Sequence, residues 1–172
     1  MLQIKGITDC LPVAVELDPY VAININFGSW DPSLEPTAYW RAGDLEKQFI
    51  EIGVAENKGI IRSITLVLIK KIILEDKIFP EIQLKLGIPV FEKLDYDKNR
   101  LFDEVGHLEM FVGKDKLQVF FSHNKITSGL VCDRVICLFD KDNNFCGFEV
   151  SDITEKEMNI LKENFINRLH AN

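Results

Sequence analysis

Val21, Ile23, Ile25 and Phe27 alternate with Ala22, Asn24 and Asn26. This is the period of two that sets one face of a β-strand against a core and turns the other outward. The strand predicted over 20–27 gives way to a stretch of breakers, 28–37, which holds Pro32 and Pro36 and reads as a surface loop. Farther along, Phe49, Ile50 and Ile52 lead into Val54-Ala-Glu-Asn-Lys-Gly59, where Asn57 and Gly59 tolerate the positive φ of a chain reversal. The run 60–69 then supplies Ile60, Ile61, Ile64, Thr65, Val67 and Ile69, branched side chains that favour a pleated surface over a helix. A hairpin over 45–70 is the reading. Few residues of its second strand are polar, so that strand is expected to be central and covered on both faces.

Residues 76–100 carry Pro80, Gly87 and Pro89, which interrupt any long helix; they read as connection, with a short helical turn over 81–86. Two more hairpins follow, one pairing 108–112 with 117–122 around Gly113-Lys-Asp-Lys116, the other pairing 134–139 with 145–150 around Asp140-Lys-Asp-Asn-Asn144. Thr154-Glu-Lys-Glu157 matches a capping box, and Ile153 with Met158 adds a hydrophobic staple. Met158, Leu161, Phe165 and Leu169 recur at spacings of three and four, the stripe of a helix over 154–170 with one face on a sheet. These elements predict a single α+β domain over 1–172. Its centre is a twisted, mainly antiparallel sheet of about six to eight strands, and its least defined part is 1–45.

Composition narrows the function classes. With 172 residues, 47% hydrophobic and 27% charged, the chain is an ordinary globular domain. Its 27 acids against 20 bases leave a net charge of −7, which argues against nucleic acid or an anionic membrane as the main partner and favours a basic one. The opening residues carry no secretory apolar run, and the longest apolar stretch, 64–74, falls short of a membrane span, so a cytoplasmic location is expected. Cys10, Cys132, Cys137 and Cys146 read as reduced thiols, the last two as small buried hydrophobes.

Candidate chemistry is sparse. Asp140, Asp142 and Asn144 occupy the first three ligand positions of a calcium loop, but Phe145 and Ser151 stand where glycine and glutamate are required, so no metal is expected there. His107 and His123 lie on different strands without zinc spacing. Phosphate loops and serine elbows are absent, so neither a cofactor nor a catalytic residue is assigned. Two features suggest recognition instead. Between Glu92 and Glu109 stand six acids, Glu92, Asp95, Asp97, Asp103, Glu104 and Glu109, against three bases, which reads as a docking face for a basic partner. Trp30, Tyr39, Trp40 and Arg41 cluster around the proline loop and are residue types enriched at interfaces.

From about Phe49 onward the chain resembles small bacterial immunity proteins encoded beside polymorphic or contact-dependent growth-inhibition toxins. The resemblance is one of layout. It is carried by Glu51-Ile-Gly-Val-Ala-Glu-Asn-Lys-Gly59 leading to Ile64-Thr-Leu-Val67, by Gly87-Ile-Pro-Val90, and by Val135-Ile-Cys-Leu-Phe-Asp-Lys-Asp-Asn-Asn144 leading to Asp152-Ile-Thr-Glu-Lys-Glu157. It implies a cytoplasmic antitoxin that binds a cognate toxin, commonly a nuclease, in some pairs by adding a toxin hairpin to its own sheet. Asp95, Asp97, Asp103, Glu104, Glu109, Gln118, Asp140 and Asp142 are the candidate toxin contacts, chosen by charge and expected exposure. Two other readings stand beside it: an enzyme assembled from distant residues such as His123 with Cys132 or Glu109, and a ligand-binding or regulatory module with a cavity between sheet and helix.

Overall fold

Branched and aromatic side chains pack on pleated surfaces, and the chain follows that preference almost throughout. The computed structural model describes residues 1–18, 23–29, 31, 35–44 and 46–163. Its first strands are β1 (Ile4–Thr8), β2 (Val13–Glu16), β3 (Ile23–Phe27), β4 (Thr37–Gly43), β5 (Phe49–Ala55) and β6 (Ile61–Leu68). Then come β7 (Lys71–Ile73), β8 (Gln83–Leu86), β9 (Ile88–Phe91), β10 (Leu101–Val105) and β11 (Glu109–Val112). The last are β12 (Leu117–Phe120), β13 (Ile126–Cys132), β14 (Val135–Asp140) and β15 (Phe145–Val150), followed by helix α1 (Glu155–Leu161).

The strands form not one sheet but three. A six-stranded sheet runs β10-β4-β5-β6-β3-β2, a seven-stranded sheet runs β7-β11-β12-β15-β14-β13-β8, and β1 pairs with β9 alone. Pairing is antiparallel except for β10 on β4, β7 on β11 and β8 on β13, each a parallel strand at a sheet edge. The fold is thus mainly β with one described helix. The expected antiparallel hairpins form; the expected single sheet does not, because the apolar faces of two sheets close on each other.

Ile23, Ile25, Trp40, Ile50, Ile52, Ile64 and Leu66 from one sheet share a buried cluster with Met110, Val119, Val135, Phe145, Phe148 and Val150 from the other. Aromatic rings cross the interface in sequence. Trp40 lies 5.2 Å from Phe121, Phe121 lies 5.1 Å from Phe145, and Phe145 lies 5.5 Å from Phe91 of the small sheet. Strand β6 is central, as its composition suggested, but only one face is covered: Arg62, Ser63, Thr65 and Val67 are half-buried on the outer side. The turn before it uses Gly59 at φ +77, where a Cβ would stand 2.3 Å from Phe91 O.

Residues 81–86 are the clearest departure from expectation. No helical turn forms there; Gln83, Leu84, Lys85 and Leu86 alternate as edge strand β8. Residues 74–82 connect β7, at one edge of the seven-stranded sheet, to β8 at the other, and so cross its outer face as a strap. Phe79 and Ile82 pack there against Phe111, Phe120, Ile126, Leu138 and Cys146, a second cluster separate from the main core. At about 4.8 Å per strand the crossing is about 29 Å, and the segment from Ile73 to Gln83, fully extended, reaches only about 33 Å. Little slack remains.

The C-terminal helix begins as expected. Thr154 caps it with a full capping box to Glu157, and Ile153, Met158 and Leu161 are buried in the main core. Phe165 and Leu169 of the predicted stripe, like Val21, Trp30 and Leu45, lie outside the described residues.

Candidate interaction surface

The acidic stretch before β11 divides by what its carboxylates already do. Asp97 accepts the amides of Asn99 at 2.8 Å and Leu101 at 2.9 Å, and the bond from Leu101 contributes most to holding its carboxyl below the usual range. Asp103 accepts both Nε and a terminal nitrogen of Arg41, at 2.6 and 2.7 Å, because β10 and β4 set the two residues side by side. Glu104 accepts the Trp40 indole at 2.8 Å and pairs with the amino terminus at Met1. Glu109 pairs with Lys71 and lies 4.0 Å from Lys77; the Lys71 hydrogen bond lowers its carboxyl most. Asp95 is exposed and, among the described residues, without a hydrogen-bond or ion-pair partner.

Two candidates are buried, which corrects their reading as contact residues. Gln118 is 1% exposed. Its Oε1 accepts the Lys77 amide at 2.8 Å, and its Nε2 donates to Lys77 O at 3.2 Å and to Glu149 at 2.7 Å. It grips the strap backbone as a neighbouring strand would. Asp140 is 3% exposed and organises the β14–β15 turn. It accepts the amides of Asp142 and Asn144, both at 2.9 Å, and the side-chain nitrogens of Asn124 and Asn144 at 2.6 and 3.0 Å. Burial pushes its carboxyl up, but these hydrogen bonds outweigh burial and leave it below its ordinary value. A cation is not needed to explain the carboxylate, and no group of three or more His, Cys, Asp or Glu able to hold a metal occurs among the described residues. Asp142 is exposed and bonds Lys141 at 2.7 Å.

The aromatic cluster divides in the same way, since Trp40 is core while Arg41 is committed to Asp103. The distant-residue enzyme loses one of its pairs. Cys132 ends β13, which extends about 20 Å from Ile126, and His123 lies before its other end. His123 instead stands 6.1 Å from His107, ring to ring.

What sequence reasoning missed is the edge of β8. All four of its residues are exposed, its inner neighbour is β13, and no strand among the described residues takes its outer side. Leu84 is 50% and Leu86 82% exposed. Gln83 and Lys85 line a groove of about 180 Å³ together with Ile4 and Ile7 of β1 and Ser128 and Leu130 of β13. Gly87, at φ +132, admits the close approach of β1, since a Cβ there would meet Thr8 O at 2.6 Å. The Gln-Leu-Lys-Leu alternation was the signal that could have revealed this strand. A second cavity, about 220 Å³, opens beside Asn124, Asp140 and Asp142. Both are smaller than the roughly 300–1,000 Å³ of ordinary small-molecule sites.

Comparison of the chain with protein-family models finds no match, and a search of curated proteins finds no relative. No helix among the described residues is long and apolar enough to cross a membrane.

Proposed function

We propose that the protein is an immunity protein, a cytoplasmic antitoxin that binds a cognate toxin domain stoichiometrically and adds a toxin strand to the outer edge of β8. The observation that carries the reading is that edge: four exposed residues whose outer main-chain groups are open to a strand, with Leu84 and Leu86 presented beside them. Main-chain pairing supplies affinity in such an addition, and side-chain pockets supply specificity. The net charge of −7 suits a basic partner, a nuclease surface above all, through faster encounter. Within the proposed α+β domain, the capped helix is tied through Glu157 to Arg134, and β8 stands at the sheet edge among the described residues. The ligand-module reading is less favoured because both cavities are small.

The test is co-expression with the product of the adjacent gene, scoring growth rescue and capture on a tag carried by one partner. Leu86→Glu, at a position 82% exposed, is expected to lower capture about tenfold or more while leaving the circular dichroism unchanged. Wild-type capture by this variant would move the interface away from β8. A harmless neighbour that does not bind would end the immunity reading.

A further inference from the structure

Where the chain leaves β1 for β2 it passes the end of β13, and two thiols meet there. Cys10 donates from Sγ to Val131 O at 3.4 Å, and Cys132 donates from Sγ to Leu11 O at 3.4 Å. Each sulfur thus rests on the carbonyl beside the other cysteine. The Cys10 thiol is also close enough to act on the Cys132 thiol, which it helps to hold in the protonated form. A disulfide needs two Cβ atoms at close range with their bonds converging, and the two crossed hydrogen bonds bring the cysteines side by side, each sulfur against the backbone that flanks the other. Their environments differ in a useful way: Cys10 is exposed, while Cys132 is 2% exposed.

We infer that Cys10 and Cys132 form a reversible disulfide with a low-molecular-weight disulfide as oxidant, a redox-linked staple between the β1–β2 connection and β13. The inference is independent of the function proposed above. The Cys10 thiolate attacks one sulfur of the oxidant RSSR, forming Cys10–S–S–R and releasing RS⁻. The Cys132 thiolate then attacks the Cys10 sulfur, forming the protein disulfide and expelling the second RS⁻. Both cysteine protons end on the released thiolates, so two RSH leave and two electrons pass from the protein to the oxidant.

The order of attack follows from access. Burial first, and the neighbouring Cys10 second, push the Cys132 thiol up to about 12, so the exposed Cys10 takes the first step. Capping Cys10 as a mixed disulfide removes its share of that effect and leaves burial, and Cys132, already beside the capped sulfur, resolves it. Cys137 and Cys146 are buried with raised thiol pKa values and lie outside the exchange.

The full-length protein is incubated with oxidised glutathione, alkylated without reduction, digested, and read by mass spectrometry. The expected product is one intramolecular disulfide linking the Cys10 and Cys132 peptides, reversed by reduced glutathione. Closing so long a loop is expected to raise Tm on the order of 10 °C. Cys10→Ser, at an exposed position, keeps the fold and loses both the linked peptide and the Tm shift. A glutathione adduct that persists on Cys10, a disulfide linking other cysteines, or four free thiols in the folded protein would each overturn the inference.

Discussion

The Glu157 carboxylate binds more groups than a helix cap requires. Arg134 donates to it at 2.6 and 3.1 Å, and the amide and hydroxyl of Thr154 each donate at 2.8 Å. Led by Arg134 and opposed by burial, these contacts lower its pKa from 4.5 to about 2. A depressed folded-state pKa gives stability that is present above pH 4.5 and lost as pH falls through about 2. Glu157→Gln is therefore expected to cost about 1–2 kcal/mol near neutral pH, the difference shrinking across that window, as urea titrations at several pH values will show. The cap was legible in Thr-x-x-Glu because its partners are local. Arg134 was not, because a strand turn delivers it from outside the helix. The same limit explains the acidic candidates: charge can be counted along a sequence, but whether Asp103 faces a partner or Arg41 depends on β10 lying beside β4.

Among the elements, the strap over the seven-stranded sheet is held at its middle by one side chain. Gln118→Ala removes the partners of the Lys77 amide, the Lys77 carbonyl and Glu149. A loss of about 1–3 kcal/mol is expected, together with faster hydrogen exchange at the Lys77 amide and new proteolytic cleavage within 74–82. Unchanged exchange at Lys77 would show that Phe79 and Ile82 hold the strap without Gln118. Lys77 adds to this grip with its ammonium 4.1 Å from the Phe120 ring centre. The three antiparallel hairpins were readable because their turns and strands are contiguous. Strand β8 was not, because its pairing with β13 joins residues far apart in sequence, and Pro80, Gly87 and Pro89 drew attention to breaks rather than to the alternation between them.

For the molecule as a whole, the charge of −7 is a field rather than a site, because most of the acidic segment is internally paired. Asp95 is the position from which steering can be read cleanly. Asp95→Lys is expected to slow association with the basic partner severalfold at low ionic strength, with the effect fading near 1 M salt and the thermal midpoint unchanged. Asp103→Lys, by contrast, places two cations side by side on β10 and β4 and is expected to lower the midpoint; stopped-flow rates and thermal melts on both variants separate the two roles. The division into three sheets was beyond the sequence because it follows from which apolar faces meet. The ring contacts from Trp40 through Phe121 and Phe145 to Phe91 bring together residues from widely separated elements.

The strap is made before the surface it covers. On a ribosome, residues 74–82 are made before β11 to β15, the strands beneath them. The cluster that receives Phe79 and Ile82 draws on every strand from β11 to β15, so it is complete only once Cys146 and the rest of β15 have left the exit tunnel. Vectorial synthesis thus leaves β7 and β8, the first two strands of this sheet, without neighbours until β11 and β13 are made, and the join of β12 to β15 that closes the sheet falls to the finished chain.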